Sequence, residues 1–218
     1  MNHLILLRHG QSRWNLENRF TGWEDVDLSA AGEAEAAEAG RAMAKLRLDR
    51  VYTSTLKRAR RTAELALAAM AVSGADLSRV RAADGAFRMT AHDDLRERHY
   101  GDLVGLDKAE TAAKHGEEQV RLWRRSFSTR PPGGESLADV VARVRPYFER
   151  EILPHVKAGE TVLVAAHGNS LRALLVALGE YGEQEIPGIE IPTGKPLVFD
   201  WEGGEKRRHY YLGDQKAA

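Results

Sequence analysis

The fold is decided by residues 4–10, which read LILLRHG. Four consecutive aliphatic residues bounded by polar ones predict a fully buried strand, although a buried helix segment would show the same pattern. His9 then follows the carboxyl end of the strand, and ligands of open α/β sheets bind at that edge. Because Gly10 has no side chain, the backbone beside the imidazole can approach a bound anion. The stretch therefore predicts a ligand site at His9.

Residues 161–168, TVLVAAHG, repeat this order of a buried strand, a histidine and a glycine. If the two strands are parallel neighbours, they carry His9 and His167 to one edge of one sheet, where both imidazoles can face a single ligand. A metal ion is the obvious competing ligand, since histidine binds metals readily. However, the sequence has no H-E-x-x-H spacing and no cysteine, and the arginine beside His9, Arg8, grips phosphate and repels a cation. The pattern favours an anion.

The composition narrows the classes of protein. With 218 residues the chain is long enough for one well-buried α/β domain over residues 1–218, although two small domains would also fit. The 32 basic and 32 acidic residues cancel, so no overall field recruits nucleic acid or an anionic membrane. The sequence has no cysteine, no signal-peptide layout and no apolar run of about 20 residues. We therefore expect a cytoplasmic protein that binds neither nucleic acid nor membrane.

Strand and helix patterns alternate along the chain. Ser29 is a plausible N-cap of one helix, and residues 50–53 predict a strand that leads into another. Arg58 lies in the first turn of that second helix beside an expected anion site, whereas Arg60 and Arg61 are interpreted as solvated. The alternation predicts an α/β fold with a mostly parallel sheet and helices on both faces. Further predictions are a loop over residues 13–23, helices interrupted at Gly116, a break at residues 131–134, a helix capped by Ser136 and either kinked or restarted at Pro146, a helix over residues 171–178 and closing strands at residues 196–200 and 209–212.

The polar residues of these motifs indicate phosphoryl transfer. A neutral His9 would be the nucleophile and form a phosphohistidine, while Arg8 and Arg58 hold the phosphoryl oxygens and His167 adds a donor. Glu97, in a loop flanked by cations, fits either a general acid/base or an exposed salt bridge, and the salt bridge is the commoner case. The sequence has no P-loop, which argues against a nucleotide-driven kinase.

The same motifs, taken in order, resemble a known family. LRHG at residues 7–10 and AHGN at residues 166–169 resemble the histidine phosphatase superfamily. Further segments are similar to the 2,3-bisphosphoglycerate-dependent phosphoglycerate mutases within it, and the match runs from residue 4 to about residue 213. These segments are RFTGW at residues 19–23, LKRA at residues 56–59, ERHYG at residues 97–101, KAET at residues 108–111, WRR at residues 123–125 and IPTG at residues 191–194. The ordered set is far more specific than any one of them.

The resemblance implies a phosphoglycerate mutase-like fold and a role for each matched residue. It makes His9 the phosphorylated nucleophile and Glu97 the proton donor and acceptor, against the salt bridge that the local pattern favours. It places Arg8, Arg58 and His167 around the moving phosphoryl group. The residues that it implies in substrate binding are Arg8, Asn15, Thr21, Gly22, Arg58, Glu97, Tyr100, Lys108, Arg124, Arg125, Gly168 and Asn169.

The implied reaction is the interconversion of 2-phosphoglycerate and 3-phosphoglycerate in glycolysis and gluconeogenesis, primed by 2,3-bisphosphoglycerate and without a metal ion. Longer family members carry an extended segment where this chain has only residues 126–134, and that segment contributes to the lid and to subunit contacts. We therefore expect either a monomer or a homodimer. The tail after Leu212 is also short.

Three alternatives remain open on the sequence. The shortened covering segment is compatible with a phosphatase of the same superfamily that acts on small phosphate esters, because water then reaches the phosphohistidine. A catalytically silent module that binds phosphorylated ligands would carry the same cations. A metal-dependent hydrolase is the most distant possibility.

Overall fold

The computed structural model describes residues 1–213 of the chain, and its centre is one six-stranded sheet. The strands are β1 (Asn2–Arg8), β2 (Arg50–Thr53), β3 (Thr90–Ala91), β4 (Val162–Ala166), β5 (Leu197–Glu202) and β6 (Glu205–Tyr211). Their order across the sheet is β3-β2-β4-β1-β5-β6. The first four are parallel, whereas β5 and β6 are antiparallel to their neighbours. The prediction of a mostly parallel sheet is therefore confirmed.

Eight α-helices accompany the sheet in the described part of the chain. They are α1 (Arg13–Leu16), α2 (Ala30–Met43), α3 (Lys57–Val72), α4 (Lys108–His115), α5 (Glu117–Arg125), α6 (Leu137–Tyr147), α7 (Leu153–Lys157) and α8 (Gly168–Ala177). A π-helical turn, Phe148–Ile152, joins α6 to α7 just after Pro146. Pro146 itself lies inside α6, and the regular α-helix gives way to the π-helical turn only after Tyr147.

Strand β1 is apolar on both sides because both faces of the sheet are covered. Leu4 and Leu6 pack into one apolar cluster with residues of α6 and α8. Ile5 and Leu7 point the other way and pack into a second cluster with residues of α2 and α3. Successive side chains of a strand alternate between faces, so only a central strand of a sheet covered on both sides reads as a continuous aliphatic run.

The register of β1 and β4 places the two histidine motifs side by side. Leu4 lies opposite Val162, and Arg8 lies opposite Ala166. The amide of His9 then donates to the carbonyl of Ala166 at 2.9 Å, so the pairing continues one residue beyond the strand. The predicted meeting of the two motifs at one sheet edge is confirmed.

Several element boundaries differ from the prediction, and the last strand, predicted at residues 209–212, begins at Glu205. The predicted loop over residues 13–23 begins with α1, because Ser12 and Asn15 form a reciprocal capping box that starts a short helix. The helix predicted over residues 171–178 begins at Gly168, directly after the second histidine. Buried polar residues in its first turn hide the apolar pattern there. The prediction concerning the tail falls mostly on residues 214–218, which lie outside the described residues.

Candidate active site

A cavity opens at the carboxyl ends of β1 and β4, and its wall contains all twelve predicted substrate-binding residues together with His9. Residues from distant parts of the chain meet there, from the end of β1 to the connection before β5. His167 lies beneath the wall and is fully buried. The cavity is lined by Arg8, His9, Asn15, Arg19, Phe20, Thr21, Gly22, Arg58, Glu97, Tyr100, Lys108, Arg124, Arg125, Gly168, Asn169, Arg172 and Glu190.

The two histidines form an edge-to-face pair with ring centroids 5.0 Å apart. Nδ1 of His9 lies 2.7 Å from the carbonyl oxygen of Gly10, so Nδ1 carries the proton and donates it to that oxygen. The lone pair of His9 therefore resides on Nε2. A neutral imidazole held in this tautomer is a nucleophile with a fixed direction.

His167 is fixed by a serine that the sequence did not single out. Oγ of Ser54 lies 2.6 Å from Nε2 of His167, and the same oxygen accepts a hydrogen bond from the amide of Leu56 at 3.2 Å. We assign the hydroxyl proton of Ser54 to this contact, and in that tautomer the ring proton of His167 is on Nδ1. Nδ1 is buried and has no hydrogen-bond partner among residues 1–213, so in the assigned tautomer it is a donor without an acceptor.

Burial lowers the pKa of both histidines well below the ordinary value. For His9, the positive charges of Arg58 and Arg8 act in the same direction as burial. For His167, burial is again the main cause, followed by the charge of Arg58. Both rings are consequently neutral at pH 7, which is the state that a nucleophilic imidazole requires.

The two arginines beside the histidines are held by backbone carbonyls. Arg58 is almost completely buried, and its guanidinium donates to the carbonyls of Glu24 at 2.9 Å and Gly22 at 2.8 Å. Burial lowers the pKa of Arg58 to about 10, which still leaves it charged at neutral pH. Arg8 donates from Nη1 to the carbonyl of Ile191 at 2.7 Å. Both side chains are therefore positioned before any ligand arrives.

Glu97 is a hydrogen-bonded carboxylate in the cavity wall. Its Oε1 accepts from the amide of Arg98 at 2.7 Å, the amide of Asn169 at 3.1 Å and the Asn169 side chain at 2.8 Å. Burial alone would raise the pKa of Glu97, but these hydrogen bonds and the charges of Arg58 and Arg8 outweigh it and lower the pKa. The local pattern favoured an exposed salt bridge for Glu97, and that interpretation is therefore wrong.

The loop that carries Glu97 is itself anchored from α6. Arg143 donates from Nη2 to the carbonyl of Glu97 at 3.0 Å and from Nη1 to the carbonyl of Asp94 at 2.6 Å. Its Nε also pairs with Glu135 at 2.9 Å. No sequence pattern pointed to Arg143, because an arginine on a helix carries no local sign of which loop it reaches. It holds the Glu97 backbone without lining the cavity.

A second group of cations reaches the cavity from α4 and α5. We call the wall formed by Lys108, Arg124 and Arg125 the α4/α5 wall. Burial, together with the charge of Arg124, lowers the pKa of Lys108 to about 8. No acidic side chain forms an ion pair with Lys108 or Arg124 within residues 1–213, so these two side chains of the wall offer uncompensated positive charge to a ligand.

Several buried donors at the site lack an acceptor within the described part of the chain. Nε of Arg8, Oγ1 of Thr21 and Nδ1 of His167 have no hydrogen-bond partner there. Buried polar groups are normally paired, so three orphan donors beside one cavity indicate a missing acceptor. Phosphoryl oxygens meet that requirement, because they accept hydrogen bonds and carry negative charge. The donor set fits a phosphate ester.

Gly10 has a different role from the one predicted. A Cβ at this position would lie 2.1 Å from the carbonyl oxygen of Gly32, so the glycine allows the chain after β1 to pack directly on α2. The first motif needs a glycine for this contact between backbones. The glycine is therefore explained without the predicted approach of the backbone to an anion.

No cluster of three or more histidine, aspartate or glutamate side chains is placed to hold a metal ion in the part of the chain that the structure describes. No helix within residues 1–213 is long and apolar enough to cross a membrane.

Comparison with known proteins agrees with this geometry. Residues 4–211 match the model of the histidine phosphatase superfamily, branch 1. A 2,3-bisphosphoglycerate-dependent phosphoglycerate mutase of Caulobacter vibrioides is 49% identical, and the match covers 100% of this chain and 97% of the relative. The enzyme of the same name from Sphingopyxis alaskensis is 46% identical, with 99% and 100% covered.

A solved structure extends the comparison to three dimensions. A mycobacterial glucosyl-3-phosphoglycerate phosphatase in complex with VO3 superimposes with a TM-score of 0.75 at 26% identity, with 100% of each chain covered. The two chains thus share their fold. The chain belongs to the histidine phosphatase superfamily and, within it, to the family of the 2,3-bisphosphoglycerate-dependent phosphoglycerate mutases.

Proposed function

We propose that this chain interconverts 2-phosphoglycerate and 3-phosphoglycerate through a phosphohistidine at His9, primed by 2,3-bisphosphoglycerate. The observation that carries the proposal is the second group of cations. A phosphatase needs positive charge only around the phosphoryl group, whereas this cavity adds Lys108, Arg124 and Arg125 on the α4/α5 wall. A ligand with two or more anionic groups uses both sets of cations, and a phosphoglycerate has a phosphate and a carboxylate.

His9 is the proposed nucleophile because its geometry and charge state favour attack through Nε2. The hydrogen bond from Nδ1 to the carbonyl of Gly10 fixes the tautomer, and the lowered pKa keeps the ring neutral. When Nε2 bonds to phosphorus, Nδ1 retains its proton and its acceptor. The positive charge that develops on the ring is thereby stabilised by the Gly10 carbonyl.

Arg8, Arg58 and His167 are proposed to bind the oxygens of the phosphoryl group during transfer. Arg8 offers the orphan donor Nε, and His167 offers the orphan donor Nδ1. Arg58 contributes a buried positive charge whose position is set by two loop carbonyls. Positioned donors in a site shielded from water stabilise the extra charge of the transition state without reorganising.

Glu97 is proposed to move the proton. In the phosphorylated protein the substrate hydroxyl attacks phosphorus, the bond between phosphorus and Nε2 breaks, and the hydroxyl proton goes to the carboxylate of Glu97. The lowered pKa keeps Glu97 ionised in the free site, which suits this first step. In the reverse transfer the protonated Glu97 returns the proton to the leaving oxygen.

The residues present fit 2,3-bisphosphoglycerate as the primer. The orphan donors Arg8 Nε, Thr21 Oγ1 and His167 Nδ1 would hold one phosphate at His9. Lys108, Arg124 and Arg125 would hold the remaining anionic groups, with Asn15 and Tyr100 beside them. When bound, the primer supplies the phosphoryl group for His9. The proposed cycle calls on no metal ion, because the arginines and Lys108 supply the positive charge.

Assembly and cellular location belong to the same proposal. We expect a monomer or a homodimer, because the segment at residues 126–134 is short. We expect the protein in the cytoplasm, where phosphoglycerates are interconverted.

The second candidate function is a phosphatase acting on small phosphate esters. The resemblance to the mycobacterial phosphatase structure and the short segment at residues 126–134 favour it. It differs from the mutase in one respect, since water takes the phosphoryl group from His9.

A coupled assay of 2-phosphoglycerate formation from 3-phosphoglycerate tests the proposal, run with and without 2,3-bisphosphoglycerate and with phosphate release measured in parallel. We expect isomerisation that rises with the primer and persists in EDTA. His9→Ala should abolish it and should also abolish acid-labile label from the radioactive primer. Phosphate release that outpaces isomerisation would replace the mutase with the phosphatase, and binding without label on His9 would replace both with a silent binding module.

A further inference from the structure

A carboxylate of the protein itself occupies part of the cationic cavity. Oε2 of Glu190 lies 3.0 Å from Nη2 of Arg125 and 3.6 Å from Nη2 of Arg172. All three side chains line the cavity. Glu190 is 64% exposed and Arg172 only 7%, so the carboxylate is accessible to solvent while the guanidinium is buried. The carboxylate of Glu190 is therefore already paired with two cations that line the ligand cavity.

The backbone around Glu190 is fastened on both sides by arginines of the site. Nε of Arg172 donates to the carbonyl of Ile189 at 2.8 Å, and Nη1 of Arg8 donates to the carbonyl of Ile191 at 2.7 Å. These two bonds fix the peptide chain immediately before and after Glu190. The side chain is consequently presented at the cavity, although most of it is exposed to solvent.

The cations of the cavity thus fall into two groups. Lys108 and Arg124 have no ion-pair partner within residues 1–213, whereas Arg125 and Arg172 share Glu190. A ligand anion that approaches Arg125 or Arg172 must either displace the Glu190 carboxylate or bind beside it against like-charge repulsion. In both cases part of the binding free energy is lost.

We propose that Glu190 determines specificity by competing with the ligand for Arg125 and Arg172. It weakens the binding of ligands whose second anionic group reaches the α4/α5 wall, and it leaves the binding of a lone phosphoryl group at His9 unchanged. The proposal rests on the proposed function, since it assumes that a phosphoglycerate occupies both parts of the cavity. Such a residue limits the affinity for the bound phosphoglycerate and so favours product release.

Glu190→Gln isolates this effect, because glutamine keeps the size and one carbonyl oxygen but removes the charge. Exposed ion pairs contribute little individually, so we expect the Kd for 3-phosphoglycerate to fall by about two- to fivefold. Binding is measured by calorimetry in the His9→Ala background, where no phosphoryl transfer occurs. Orthovanadate, which mimics the phosphoryl group at His9, is titrated into the protein that retains His9, and its Kd should not change.

Glu183→Gln is the matched control. Glu183 is an exposed carboxylate on the same connection between α8 and β5 and does not line the cavity. The substitution removes the same charge from the protein, so the Kd for 3-phosphoglycerate should stay unchanged. In the turnover assay Glu190→Gln should lower the Michaelis constant for 3-phosphoglycerate by the same factor as the Kd, without raising kcat.

Three results would overturn the proposal. A higher Kd in Glu190→Gln would mean that the carboxylate positions Arg125 for the ligand. An equal fall in the Kd for orthovanadate, or an equal fall in the Kd for 3-phosphoglycerate in Glu183→Gln, would mean a general charge effect. An unchanged Kd for 3-phosphoglycerate in Glu190→Gln would mean that the ligand does not contact Glu190 or its partners. Failure of the proposed function is recognised separately, because the protein with both glutamates intact would then bind 3-phosphoglycerate but not isomerise it.

Discussion

The hydrogen bond between Ser54 and His167 offers a sharp test of how the second histidine is held. Both side chains are fully buried, and Oγ of Ser54 lies 2.6 Å from Nε2 of His167. Ser54→Ala removes the hydroxyl that supplies a proton to Nε2. The ring is then free to adopt the other tautomer, in which Nδ1 is an acceptor and repels the phosphoryl oxygens.

The size of the effect follows from the bond that is lost. A hydrogen bond to a charged group contributes about 1.5–3 kcal/mol, so loss of the Nδ1 donor should lower kcat by about 10- to 100-fold. The free energy of unfolding should fall by about 1–3 kcal/mol, because Nε2 and the Leu56 amide lose their partner inside the protein. The Michaelis constant should change less than kcat, since the donor acts mainly on the charge that develops during transfer.

The assay is steady-state mutase kinetics combined with urea unfolding of the same preparations. Thr53→Val is the matched control, because Thr53 is the adjacent buried residue and its Oγ1 has no hydrogen-bond partner within residues 1–213. This variant should retain kcat and be as stable as the starting protein or more so. If Ser54→Ala left kcat within twofold, the tautomer assignment of His167 would be refuted.

The remaining predictions concern charged side chains of the site and of one helix cap. Burial lowers the pKa of Lys108 to about 8, so its positive charge is lost as the pH rises through 8. The kcat/KM for 3-phosphoglycerate should therefore fall between pH 7 and 9, and Lys108→Arg should flatten that profile. Arg58 is buried at the site, whereas Arg60 on the same helix is exposed. Arg58→Ala should therefore lower kcat/KM by at least about 100-fold and Arg60→Ala by less than twofold. Equal losses in the two variants would contradict this assignment of helix faces. The hydrogen-bonded ion pair with Arg130 lowers the pKa of Asp139, and so do the hydrogen bonds that Asp139 accepts from the Ser136 amide and hydroxyl. Asp139→Asn should cost about 1 kcal/mol of stability at pH 7 in urea unfolding, and the difference should shrink below about pH 4, where the unfolded chain takes up the proton that the folded carboxylate resists.

The sequence by itself determined the two central strands of the sheet and the starts of several helices. The aliphatic runs before His9 and His167 predicted two buried strands, because a strand covered on both faces of its sheet is apolar at consecutive positions. Ser29 and Ser136 predicted helix starts, since capping depends on residues within one turn. Local patterns are sufficient for these features because the interactions that produce them connect neighbours in the chain.

The ordered motifs predicted more of the candidate site than the local physical patterns did. Local pattern favoured an exposed salt bridge for Glu97, whereas the resemblance to the mutases gave it a place at the site. The structure shows why the pattern failed, since the partners of the Glu97 carboxylate include Asn169, 72 residues away. A carboxylate between cations in the sequence therefore need not pair with any of them.

Only the tertiary structure revealed Ser54, Arg143 and Glu190. Ser54 reaches His167 across 113 residues, and Arg143 reaches the Glu97 loop across 46 residues. Glu190 meets Arg125 because α5 and the connection before β5 face the same cavity. None of these residues stands in a pattern of its own. Their roles arise from contacts between distant segments, and such contacts are set by packing rather than by local propensity.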